Sequence, residues 1–161
     1  MMKIKPEHPA RPVLTINDSD GGFGLACNGN ILAHGGNLQV NIYDLKMMLN
    51  DPSKQGPLYT IQIDSAVNGL AFSPFYPEIC AVVADDGQLL VVDSSDGSVV
   101  ARTMLGDFCD GFVGCSICFH QFNESVVAIG GDDGSVMIFN IASQQMINTK
   151  HQVHTSAIYQ I

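Results

Sequence analysis

The sequence predicts an all-β chain in which one four-stranded antiparallel unit is used three times. Three observations carry that prediction. The first is self-similarity: Val67-Asn-Gly-Leu-Ala-Phe-Ser-Pro followed by Ile79-Cys-Ala-Val-Val-Ala-Asp-Asp-Gly returns, 47 residues on, as Gly114-Cys-Ser-Ile-Cys-Phe-His-Gln followed by Val126-Val-Ala-Ile-Gly-Gly-Asp-Asp-Gly. A fixed period of this length marks a repeat architecture. The second is turn chemistry: Asn28-Gly29, Asp86-Gly87 and Asp133-Gly134 fall between short apolar runs, and such dipeptides suit hairpins because both residues tolerate positive φ. The third is the strand after each turn. Leu89-Leu-Val-Val92 and Val136-Met-Ile-Phe139 are apolar at every position, the pattern of a strand buried on both faces.

Taken in order, residues 1–12 form an irregular leader, interrupted by Pro6, Pro9 and Pro12. Residues 13–16 read as a short strand closed by the turn-rich Asn17 to Gly22. A first unit spans about 23–63, with strands near 24–27, 30–33, 38–44 and 58–63. Between its third and fourth strands, Leu45 to Gly56 has a helical flavour that Asp51-Pro52 and Gly56-Pro57 limit to one or two turns. That loop, with Met47 and Met48, is longer than its counterparts and is a candidate contact element; a flap covering the core is the alternative. A second unit spans about 67–104 and a third about 113–149. Residues 156–161 read as one further strand.

Composition bounds the function. Hydrophobic residues are 46% and charged residues 14% of 161 positions, which suits a folded chain with a real core. No apolar run approaches the roughly 18 residues that span a membrane. The leader lacks the apolar segment of a secretory signal. An intracellular protein, cytoplasmic or nuclear, is expected. Net charge is −9, and the only loose gathering of cations is Lys3, Lys5 and Arg11. Phosphate binding needs clustered cations, so neither direct nucleic-acid binding nor an anionic membrane is expected.

The chemical motifs favour structure over reactivity. Five cysteines are too odd a number for a fully paired framework. Cys115 and Cys118 form a Cys-x-x-Cys, but three residues apart on a strand they point to opposite faces, so buried thiols are preferred to a metal or redox pair. The acidic turns at Asp18–Asp20, Asp85–Asp86, Asp93–Asp96 and Asp132–Asp133 invite calcium. None carries the full ligand spacing or a following bidentate Glu, and tight turns need Asp and Gly for backbone reasons. No nucleophile elbow, phosphate loop or dinucleotide fingerprint is present. No cofactor, metal or catalytic residue is expected.

Four strands per 40–50 residues, Phe72-Ser-Pro after a first strand, the Asp-Gly hairpin and the endings Tyr43-Asp44, Val92-Asp93 and Phe139-Asn140 resemble the blades of WD40-repeat β-propellers. His154-Thr-Ser-Ala-Ile is similar to the opening of such a repeat, with Val153 where glycine is usual. The chain has no Trp, so the family's buried His–Asp–Ser–Trp network carries over only in part. Asp86 and Asp133 match its turn aspartate, with Gly87 and Gly134 completing the structural turns, and His154 matches its histidine. Ala84 and Gly130 lie near the serine's place.

Three blades with a leading and a trailing strand do not close a ring, since single-chain propellers typically need about four to eight blades. The expectation is an incomplete ring: either a piece of a longer propeller, or an arc completed by another chain through self-association. The resemblance implies a non-catalytic protein–protein interaction scaffold within a multi-subunit assembly, and no enzyme. Candidate partner-binding residues are Met47, Met48, Phe75, Tyr76, Phe108 and Phe112. The rival reading is a divalent-metal or hydrolytic propeller that uses the Asp-rich turns.

Overall fold

Short apolar strands punctuated by residues that accept positive φ can only fold back on themselves, and twelve such strands form. The computed structural model describes residues 13–17, 21–51 and 53–161. The leader at 1–12, the Asp18–Asp20 turn and Pro52 lie outside the described residues.

The chain forms three four-stranded antiparallel sheets in sequence order. The first contains β1 (Gly24–Asn28), β2 (Ile31–Gly35), β3 (Gln39–Asp44) and β4 (Tyr59–Gln62). The second contains β5 (Val67–Phe72), β6 (Ile79–Ala84), β7 (Gln88–Asp93) and β8 (Ser98–Met104). The third contains β9 (Gly114–Phe119), β10 (Val126–Gly131), β11 (Val136–Asn140) and β12 (Gln145–Lys150). The repeat extends to irregularities of register: the shift at Val91/Val92 against β8 recurs at Ile138/Phe139 against β12.

The sheets stack face to face, with β1, β5 and β9 side by side along one edge. This is a partial β-propeller: three blades in an open arrangement, and among the described residues all-β apart from one short α-helix and a 3-10 turn. Alternation along the strands of the middle sheet explains the stack. Cys80, Val82, Leu90 and Val92 join Val40, Ile42 and Ile61 of the first sheet in one core. Their neighbours Ala81, Val83 and Leu89 join Ile117, Val127, Ile129 and Phe139 of the third sheet in a second core. A side-chain period of two therefore puts one sheet into two cores at once.

Small residues let the inner strands converge. A Cβ on Gly114 would lie 2.9 Å from Ile129 Cγ2 and 3.0 Å from Val83 Cβ, so β9 approaches the middle sheet more closely than a side chain would permit.

The only helix among the described residues is α1 (Leu45–Asn50), six residues long. Asp44 caps it, accepting from the Met47 amide at 2.9 Å. Residues 13–16 and 156–161 do not form the expected flanking strands, since neither segment enters a ladder. Local β-propensity alone makes no strand without a partner to share backbone hydrogen bonds. The second segment is nonetheless docked. Ile158 is buried and its amide donates to the Gly131 carbonyl at 3.0 Å, much as the Val67 amide donates to Gly36 where the chain leaves the first sheet, also at 3.0 Å. Ser116 Oγ donates to the Ile158 carbonyl at 2.7 Å.

Candidate interaction surfaces

The Asp-Gly turns are built for backbone geometry. Gly87 and Gly134 both sit at φ 81°, where any side chain is strained. Asp86 Oδ1 accepts from the Gln88 amide at 3.1 Å, and Asp133 Oδ1 from the Ser135 amide at 2.8 Å. The residues ending each third strand have a parallel task. Asp44 caps α1, Asp93 Oδ1 accepts from the Ser95 amide at 2.8 Å, and Asn140 Oδ1 accepts from the Ala142 and Ser143 amides at 3.0 and 2.9 Å. These carboxylates and amides fix the turns that follow them.

The second turn carries a polar cluster that the sequence reading did not single out. Ser135, fully buried, donates to Asp133 Oδ2 at 2.8 Å and lies 3.4 Å from His151 Nδ1. The histidine of the cluster is therefore His151 and not His154, which meets Gly134 through its backbone amide at 3.1 Å. The serine of this cluster is Ser135, beyond the turn. The matching place in the second sheet holds Gln88, which bonds Asp86 and accepts from Arg102 at 2.8 Å. The -Asp-Gly-Ser135 triplet was the available signal, because an Asx-type turn leaves the next hydroxyl facing its own carboxylate.

Burial pushes the Asp133 carboxyl up, but the Ser135 amide and hydroxyl, helped by the nearby His151, outweigh it and hold the group below 3.8. Since the folded carboxyl titrates below its unfolded value, its stabilisation is complete above that unfolded value and is lost as pH falls through the folded one. Asp133→Asn is expected to be less stable than the parent at pH 6, with the gap shrinking at pH 3. Urea midpoints at the two pH values check this.

The partner-binding candidates divide by burial. Met48 and Phe112 belong to the interior and are withdrawn as contact residues. Met48 is buried on the inner side of α1, because a short amphipathic helix must turn its apolar side inward. Phe112 lies in the second core, where a Cβ on Gly131 would meet its ring at 2.7 Å. Phe108 is half-buried and packs edge-on against Phe139, with centroids 5.2 Å apart, so it caps the same core. Met47 is half-buried.

Phe75 and Tyr76 remain on the surface, 40% and 45% exposed. Buried Ser73 turns them outward by accepting from both their amides, at 3.1 and 3.2 Å. Tyr76 donates to Glu124 Oε2 at 2.7 Å across to the third sheet, and that bond and charge raise its phenol above 10.0.

A second surface is the concave side along β1, β5 and β9. There a cleft of about 310 Å³ is lined by Phe23, Asn68, Asp85, Cys115, Asp132 and Tyr159. Phe23 is 84% and Tyr159 80% exposed, so this acidic hollow carries two aromatic edges.

All five cysteines are free. Cys115 is buried and Cys118 half-buried, and no three His, Cys, Asp or Glu side chains among the described residues are grouped to hold a metal ion. Burial pushes the Cys80 thiol up to about 12, whereas Cys27 is exposed. A disulfide reagent at pH 8 is expected to label Cys27 in the folded chain and Cys80 only after denaturation, since the thiolate is the nucleophile. Mass mapping of the labelled peptides checks this.

No helix among the described residues is long and apolar enough to cross a membrane. No protein-family model matches the chain, and no curated protein does. Among solved structures it is similar to a chain in the crystal structure of the mitotic checkpoint complex, with a TM-score of 0.65 and 17% identity over 81% of this chain. The match covers 38% of that chain's length. As 1223 chains match, the likeness is to a widely used architecture and establishes the fold alone.

Proposed function

We propose that the chain is a non-catalytic WD40-repeat segment that acts as an intracellular protein–protein interaction scaffold within a larger assembly. The observation that carries this reading is the outward pair Phe75 and Tyr76. Two large side chains stand at the surface on a loop whose backbone is fixed by the buried Ser73. Aromatic anchors on a rigid loop are the usual energetic centres of protein interfaces. Two of the turn carboxylates that a metal or hydrolytic centre would draw on, Asp86 and Asp133, are already engaged by backbone amides, which weighs against the rival reading. The structural neighbour is part of a complex, which agrees with the proposal without naming a partner.

Replacing Phe75 with a photo-cross-linking phenylalanine analogue in cells tests the reading. A discrete adduct with another polypeptide is the expected outcome, and its loss from a Tyr76→Ala background would tie it to this loop. No adduct at Phe75 or at the opposite surface residue Phe23 would overturn the proposal. Light scattering on the purified chain separates one 17.2 kDa copy from a self-completed pair.

A further inference from the structure

The two interfaces between sheets are related by the repeat, yet they are not finished alike. Between the first and second sheets, Tyr59 at the start of β4 closes the gap. It pairs with Ile42 across the ladder, its ring lies over Gly97, and its hydroxyl donates to the Ser95 carbonyl at 3.0 Å. A Cβ on Gly97 would lie 2.8 Å from Tyr59 Cγ, so glycine is required beneath the ring.

Between the second and third sheets the same places are held by other residues. In the corresponding ladder Val91 pairs with Ala101, so Ala101 occupies the position of Tyr59. Forty-seven residues after Gly97, the turn position is Gln144, which keeps the positive φ (53° against 76°) without the glycine. The carbonyl matching Ser95 belongs to Ala142. With no aromatic at the place of Tyr59, this interface is left with a cleft of about 320 Å³, bordered on one side by Tyr76. Its apolar lining includes Ile79, Val91 and Ile141, with Ala101 and Ala142 beside them, the exposed Val100 at its edge, and Glu124 on its rim beside Tyr76. No lysine or arginine lines it.

We propose that this cleft receives an aromatic side chain, tyrosine or phenylalanine, presented by a partner peptide with a lysine or arginine next to it. The apolar lining matches the ring, the molecule's own Tyr59 shows how such a ring completes the related interface, and Glu124 supplies the charge complement for the cation. This specifies the partner chemistry of the interaction scaffold proposed above and rests on that reading.

The probe is acetyl-Arg-Tyr-Arg-amide, titrated into the full chain with methyl-labelled Ile, Val and Ala and followed by NMR. Saturable shifts confined to the methyls of Ile79, Val91, Ala101, Ile141 and their neighbours are expected. Acetyl-Arg-Ala-Arg-amide should bind at least about tenfold more weakly, as expected when a buried aromatic anchor is removed. The double variant Ala101→Tyr/Gln144→Gly copies the Tyr59–Gly97 pair and should abolish the response while keeping the fold. Glu124→Lys, on the exposed rim, should weaken binding with the cleft still open. Equal responses to the tyrosine and alanine peptides, or no saturable shift at the cleft, would overturn the proposal whatever the variants do. A negative result here together with adducts in the cross-linking experiment removes the cleft and leaves the scaffold reading standing. Absence of both removes the two together.

Discussion

Phe139→Ala is expected to destabilise the chain by about 3–5 kcal/mol, the usual cost of emptying a fully buried phenylalanine site. Phe139 is wholly inaccessible in β11 and sits in the second core with Val127, Ile129 and Met137. Its loss also removes the edge-on contact with Phe108, which is worth about 0.5–1.5 kcal/mol beyond burial. Because strands on both sides of the cavity belong to ladders, the surroundings cannot collapse into it. For a chain of this size, a melting temperature lower by about 6–20 °C should follow. Phe139→Leu should recover most of the loss, and thermal unfolding of the three proteins checks the order. A shift below about 2 °C would mean the second and third sheets do not share a core.

The second large effect is expected at Gly134. Alanine there must adopt φ 81°, and its Cβ would run into the His154 carbonyl and lie 3.0 Å from that of Ser156. The backbone conformation alone costs about 1–2 kcal/mol, and the collision adds roughly another 1–3 kcal/mol of overpacking. Gly29 and Gly87 provide internal controls. Gly29 has φ 59° with nothing near its Cβ, and at Gly87 the nearest atom is the Phe112 carbonyl at 3.3 Å. Alanine at the three positions should therefore destabilise in the order Gly134, Gly87, Gly29. The excess at Gly134 measures how firmly residues 154–158 are docked on the third sheet. If Gly134→Ala and Gly29→Ala unfold at the same denaturant concentration, that docking is absent in solution.

Much of the architecture is legible in the sequence because its causes are local. Asp86-Gly87 and Asp133-Gly134 announce hairpins through a backbone conformation that few residues tolerate. Leu89 to Val92 announce a strand buried on both faces, and the middle sheet indeed enters both cores. The candidate contact residues were less legible. Met48 and Phe112 occupy turn-rich stretches that read as surface, yet each is packed inside. Their burial depends on which strand ends lie nearby in space. Phe75 and Tyr76 read no differently from Phe112 by composition, and only the Ser73 bonds and the position of Glu124 separate them.

The sequence by itself determined the repeat, its turns and the alternation that makes stacked four-stranded sheets the way to bury these strands. Those follow from φ preferences and a side-chain period of two, which act within a few residues. Only the tertiary structure decided that His151 lies beside the buried Ser135, that residues 156–161 dock without pairing, and that Tyr59 seals one interface where Ala101 leaves its counterpart open. Each of these depends on groups brought within a few ångströms from separate stretches of the chain. The packing of one sheet against the next sets that proximity, and no local pattern of residues encodes it.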